Sequence, residues 1–140
     1  MMQTSSSTNF SIEGSVSSGL GRGSQFLSLE WVRRELRQKL ALDPFPGTLN
    51  LRIAPDVWSG LFARRAAFLK IDNPSSPGCP GFLQRVILRA NGRLCSSAYL
   101  ILPELTMYKD ILEIIAAENL REKLGLKDGD RVRVEEFPES

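Results

Sequence analysis

Asn91-Gly92 stands between two long apolar runs, FLQRVILRA and LCSSAYLIL. An Asn-Gly pair accepts positive φ at both positions of a type I′ turn, whose twist suits two paired strands. A chain with this feature is committed to antiparallel sheet around it. Other segments read the same way. SIEGSVSSG, from Ser11, has Ile12 and Val16 as its apolar residues, and residues 48–53 alternate polar with apolar, as a strand with one buried face does. AAFLKI, ILEIIAA (residues 111–117) and the alternating end of KDGDRVRVEEF add further strands. Two helices are expected. SLEWVRRELRQKLAL has Ser28 as N-cap and Val32, Leu36 and Leu40 at spacing four, and it is stopped by the Pro-Gly stretch 44–47. ENLREKLGL is closed by Gly125. APDVWSGLF reads as a short irregular turn, and NPSSPGCPG as a loop. Short strands with few helices predict a mainly β chain: a small barrel or closed sheet with helices packed outside.

A length of 140 residues suits one domain. The expected divisions are a polar, disordered leader at 1–10, a β-barrel domain at 11–136 and a tail at 137–140. No apolar run approaches a membrane span, and the leader lacks the apolar middle of a signal peptide. The chain has no histidine. That excludes Ser-His and Cys-His nucleophile pairs, imidazole acid/base chemistry and any His-ligated metal. Two cysteines, Cys79 and Cys95, cannot build a metal cage or a disulfide framework, and they read as reduced thiols of a cytoplasmic protein. A formal charge of +2 is too small to imply a nucleic-acid partner. Arg33, Arg34, Arg37, Arg64 and Arg65 form two clusters that a nucleic-acid-binding barrel could use, but a solvated helix face accounts for them better.

Four stretches could carry chemistry. In DPFPGTLNLRI, two prolines stiffen the approach to a strand on which Thr48 and Asn50 share a face. Neutral oxygens of that kind suit Mg²⁺, which takes few protein ligands; a hydrogen-bonded strand start is the plainer reading. SGLGRG has glycines that let backbone N–H groups curl around a phosphate, although its spacing is not that of a Walker A loop, and a simple turn would also explain it. Glu113 is a single charge in an apolar strand, either exposed or in contact with a ligand. The charges of ENLREKL ordinarily mark a solvated helix face.

In combination these stretches say more. IEGSVSSGLGRGSQFLSL, PFPGTLNLRI, PELTMYKDILEIIAAENLR and LGLKDGDRVRV, in this order, resemble the archaeal-type CTP-dependent riboflavin kinases, from about Ile12 to Val134. The resemblance implies a compact six-stranded cradle-loop β-barrel with flanking short helices. It implies transfer of the terminal phosphate of CTP to the 5′-hydroxyl of riboflavin, giving FMN and CDP. By the same resemblance Thr48 and Asn50 would hold Mg²⁺, and Thr106 and Glu113 would contact the flavin, Glu113 orienting the attacking hydroxyl or taking its proton. Leu20, Gly21, Arg22, Gly23, Ser24 and Gln25 would wrap the nucleotide, with Glu118, Asn119, Leu120 and Arg121 as its second contact. Two departures bear on substrate choice: Arg22 stands where the family has an acidic residue, and Met107 stands near the family's histidine. The competing expectation is a flavin or nucleotide sensor that keeps the pocket without catalysis. Neither a nucleic acid nor a membrane is an expected partner, and the sequence does not address the oligomeric state.

Overall fold

The computed structural model describes residues 9–18, 27–74, 78, 80–104 and 109–138. Seven strands form one antiparallel sheet: β1 (Ser11–Ser17), β2 (Leu49–Arg52), β3 (Leu69–Ile71), β4 (Gly81–Ala90), β5 (Arg93–Pro103), β6 (Ile111–Ala116) and β7 (Arg131–Glu136). The order is β3-β4-β5-β6-β2-β1-β7, and a further pairing of β4 with β7 closes it. Six strands therefore make the ring, as expected. β3 is a short addition that pairs with the first residues of β4, while later residues of β4 pair with β7. Closure removes the open edges that an isolated sheet of this length would expose.

The hairpin forms where the Asn-Gly pair predicts it, with Asn91 at φ 54° and Gly92 at φ 71°. A bulge interrupts β4–β5, since Val86 faces Ala98 but Leu88 faces Cys95. The extra residue on β5 lets Cys95 and Ala98, three apart, both enter the core. Arg85 Nε donates to the Ser96 carbonyl at the bulge, 2.9 Å away.

Alternation along the strands produces two apolar clusters. Leu51, Leu88, Leu100, Leu112, Ile114 and Val134 are among those filling the barrel. Leu83, Ile101 and Ile115 point the other way and lie under helix α1 (Glu30–Leu40), against its buried Val32 and Leu36. The cap of α1 differs from expectation. Leu29 is the N-cap and makes no side-chain capping bond. Its C-terminus lies at Leu40, three residues earlier than Pro44–Gly47 would impose: Ala41 adopts a left-handed conformation and its N–H donates to the Arg37 carbonyl.

The larger correction is residues 55–63, expected as irregular turn. They form helix α2 (Pro55–Ala63), with Pro55 in the first turn and Trp58 and Leu61 buried. Pro is favourable at a helix start, and burial of Trp58 against the barrel outweighs the cost of Gly60 inside the helix. A short 3₁₀ turn, Arg65–Ala67, leads into β3. Helix α3 (Leu120–Leu124) is capped as the sequence suggests: Asn119 accepts from the N–H groups of Arg121 and Glu122, and Gly125 closes it at φ 64°. Phe10 joins the barrel core, and its N–H donates to Glu136 Oε1. No helix among the described residues is long and apolar enough to cross a membrane.

Candidate active site

The approach to β2 explains the local sequence. Pro44 and Pro46 fix φ on either side of Phe45. The Phe45 N–H donates to the Ala116 carbonyl at 2.7 Å, and its own carbonyl accepts from the Gly47 N–H at 2.8 Å. This tight turn lies against the end of β6 and delivers Thr48 to the start of β2. In β2, Leu49 and Leu51 point into the barrel, leaving Asn50 on the outer face. Asn50 sits directly opposite Glu113 of β6.

Three oxygen-bearing side chains meet there. Thr48 Oγ1 lies within donor distance of Asn50 Oδ1 at 2.9 Å and of Glu113 Oε1 at 3.2 Å. Asn50 is buried, with 6% of its surface exposed, whereas Thr48 and Glu113 are half-buried. The expectation that Thr48 and Asn50 share a face is met. All three donors are oxygens, two neutral and one carboxylate, which fits a hard divalent cation better than a soft one. Among the described residues no cluster of three or more His, Cys, Asp or Glu could hold a metal.

Beside Thr48 opens a cleft of about 160 Å³. Phe45, Gly47, Thr48 and Leu49 contribute from the turn and β2, and Ala116 with residues 118–121 from the far segment. The four residues expected as a second nucleotide contact, Glu118, Asn119, Leu120 and Arg121, therefore lie together with the expected metal ligand Thr48. The charges around them are paired. Lys123 Nζ donates to Glu118 Oε1 at 2.8 Å, a bond that raises the lysine pKa. Arg121 donates to Asp128 Oδ1 at 2.7 Å and the Ser18 hydroxyl to Asp128 Oδ2 at 2.8 Å. Those two bonds, the arginine's first, hold the Asp128 carboxyl below its ordinary pKa.

Asp128 was not a candidate from sequence, where KDGD reads only as a turn, yet it links Ser18 to Arg121. The chain leaves β1 at Ser17, which is the register partner of Asn50. Residues 20–25 and Thr106, expected to contact the nucleotide and the flavin, lie outside the described residues, as do Met107 and Cys79. The arginine clusters are largely committed elsewhere. Arg34 pairs with Glu30, Arg37 with Asp43, Arg64 with Glu136 and Arg65 with Glu104, and Arg65 also stacks over Phe62.

A family model named for CTP-dependent riboflavin kinases, and described as a domain of unknown function, DUF120, matches residues 16–135. The chain belongs to the CTP-dependent riboflavin kinase family. Relatives named riboflavin kinase are similar to it over most of its length. That of Archaeoglobus fulgidus is 39% identical over 134 residues, covering 89% of this chain and 53% of the relative. That of Pyrobaculum islandicum is 39% identical over 138 residues, covering 91% and 61%. The chain thus spans between half and two thirds of the length of these two relatives. The riboflavin kinase of Methanosphaera stadtmanae is 32% identical over 123 residues, and there the match covers 94% of the relative. Among the described residues the outer-face triad and the cleft adjoin through Thr48, which belongs to both.

Proposed function

We propose that this protein is a riboflavin kinase, transferring the terminal phosphate of CTP to the 5′-hydroxyl of riboflavin to give FMN and CDP, with Mg²⁺. The observation that carries this reading is the meeting of Asn50 and Glu113 on Thr48, which itself lines the cleft. The Methanosphaera relative supports it, because a protein named riboflavin kinase is spanned almost entirely by this match.

Phosphoryl transfer asks a protein mainly for positioning and for neutralisation of phosphate charge. Thr48 and Asn50 would hold the cation, which when bound offsets the negative charge of the phosphates. Residues 118–121, together with 20–25, would hold the nucleotide, and Thr106 and Glu113 the flavin. The flavin hydroxyl oxygen forms its bond to the terminal phosphorus as the bond from that phosphorus to the bridging oxygen breaks. Glu113 takes the hydroxyl proton, and CDP departs with the bridging oxygen. No imidazole is needed. A cytoplasmic setting accompanies this reading, and Cys95 is a buried free thiol of the kind common in reducing compartments.

The test is incubation with riboflavin, CTP and Mg²⁺, followed by chromatographic separation of the flavins. FMN should accumulate, and Thr48→Val combined with Asn50→Ala should reduce it about 100-fold or more, since metal stabilisation of phosphoryl charge amounts to several kcal/mol. Melting curves of the variant establish that the fold persists. Bound riboflavin with no FMN would make the protein a sensor. Undiminished FMN from the double variant would refute the metal assignment.

A further inference from the structure

The side chain of Asp128 is 64% exposed, yet both of its carboxylate oxygens accept hydrogen bonds. Oδ1 accepts from Arg121 Nη2 at 2.7 Å, and Oδ2 from the Ser18 hydroxyl at 2.8 Å. An ion pair this open to water adds little to stability. What it does fix is direction. The turn that carries Asp128 is bonded twice to β1: the Gly129 N–H donates to the Val16 carbonyl and the Val16 N–H to the Asp130 carbonyl, each at 2.8 Å. Within the turn, the Lys127 N–H donates to Asp130 Oδ2 at 3.1 Å. Asp128 therefore offers its carboxylate from backbone that is already held.

Among the described residues Arg121 is the one cation in the wall of the cleft. A guanidinium carries five N–H donors in a fixed plane, and a single end-on bond to a carboxylate leaves others to meet a phosphate. An untethered arginine loses rotamer freedom when it takes up a ligand, whereas one tied to a held carboxylate has lost it beforehand. We propose that Asp128 is a positioning residue for nucleotide binding: it ties the Arg121 guanidinium to the end of β1, so that this cation meets the phosphates with its direction already set. This rests on the kinase reading above. A carboxylate near an anion also repels it. The two effects oppose, and the sign of the change on removing Asp128 decides between them.

Titration calorimetry with CDP in Mg²⁺ and initial-rate kinetics test the assignment, on the full chain and on Asp128→Ala, Asp128→Glu and Arg121→Ala. Asp128→Ala should weaken CDP about two- to tenfold, the cost of ordering one long side chain on binding. Its Michaelis constant for CTP should rise by the same factor, with kcat and the Michaelis constant for riboflavin unchanged. Asp128→Glu, which keeps a carboxylate for Arg121, should restore most of the loss. In an Arg121→Ala background, removal of Asp128 should weaken CDP no further. Unchanged or tighter CDP binding by Asp128→Ala overturns the positioning role while the kinase reading stands. So does an equal loss in the Arg121→Ala background, which would assign the effect to the turn. An unaltered protein that neither binds CDP nor forms FMN overturns both.

Discussion

The hydroxyl of Thr48 has a single proton and two oxygens within reach, Asn50 Oδ1 and Glu113 Oε1. When the proton is directed to Glu113, the lone pairs of Thr48 and the amide oxygen of Asn50 are both free to face a cation. Glu113 is thereby an orienting group for Thr48 as well as the proposed proton acceptor. Glu113→Gln separates these roles, because an amide oxygen can still accept from Thr48 but an amide cannot take up a proton. Turnover should fall about 10²- to 10⁴-fold, the usual worth of general-base help, with CDP affinity close to that of the unaltered protein. Single-turnover FMN formation and calorimetry measure the two quantities, and an unaltered rate would remove Glu113 as base. The shared face of Thr48 and Asn50 was legible from a spacing of two. The approach of Glu113, 65 residues beyond Thr48, was not, since it depends on β2 lying beside β6.

β1 connects the site to the rest of the ring, with β2 on one side and β7 on the other. Its Gly14 has no room for a side chain: a Cβ would lie 2.9 Å from Ile53 Cγ2 and 3.0 Å from both the Arg52 carbonyl and Leu51 Cβ. The nearest atoms include backbone, so β1 and β2 would have to separate. Gly14→Ala should cost about 1–3 kcal/mol, as overpacking does in a tight interior, measured as a lower urea midpoint. Turnover should fall too, because Ser17 of β1 is paired with Asn50; a stable, fully active variant would show that the strands can part freely. Among the elements, the β4–β5 hairpin was evident in its turn residues. Helix α2 was not, because a nine-residue segment containing Pro and Gly has weak local preference and becomes helical through the burial of Trp58 and Leu61.

Across the whole molecule, closure of the ring brings strands from the two ends of the domain together. Glu13 of β1 sits opposite Arg133 of β7 and also reaches Arg131, at 3.3 and 2.7 Å. The hydrogen bond from Arg131, then its charge, with Arg133 adding less, holds the Glu13 carboxyl below its ordinary pKa. A carboxyl depressed in the folded state stabilises the protein above its unfolded pKa, and that contribution is lost as pH falls through the folded value. Glu13→Gln should therefore melt slightly below the unaltered protein at neutral pH, and the two should converge in strong acid, where Glu13 is protonated in both states. The difference should shrink in high salt, as expected for exposed charges. Melting curves over pH and salt measure this, and a gap that persists in acid would assign the effect to packing.

Local chemistry accounts for much of the molecule. The Asn-Gly turn, the alternating strands, the Asn119 and Gly125 caps and the stiffened approach to Thr48 each depend on residues within a few positions, so they can be read along the chain. The junction between β4 and β7, the meeting of Glu113 with Thr48 and Asn50, the link from Ser18 through Asp128 to Arg121, and the open ring of Phe45 beside residues 118–121 depend on contacts between distant segments. Those contacts are set by which apolar faces can be buried together in a closed barrel, a property of the assembled core that no short stretch contains.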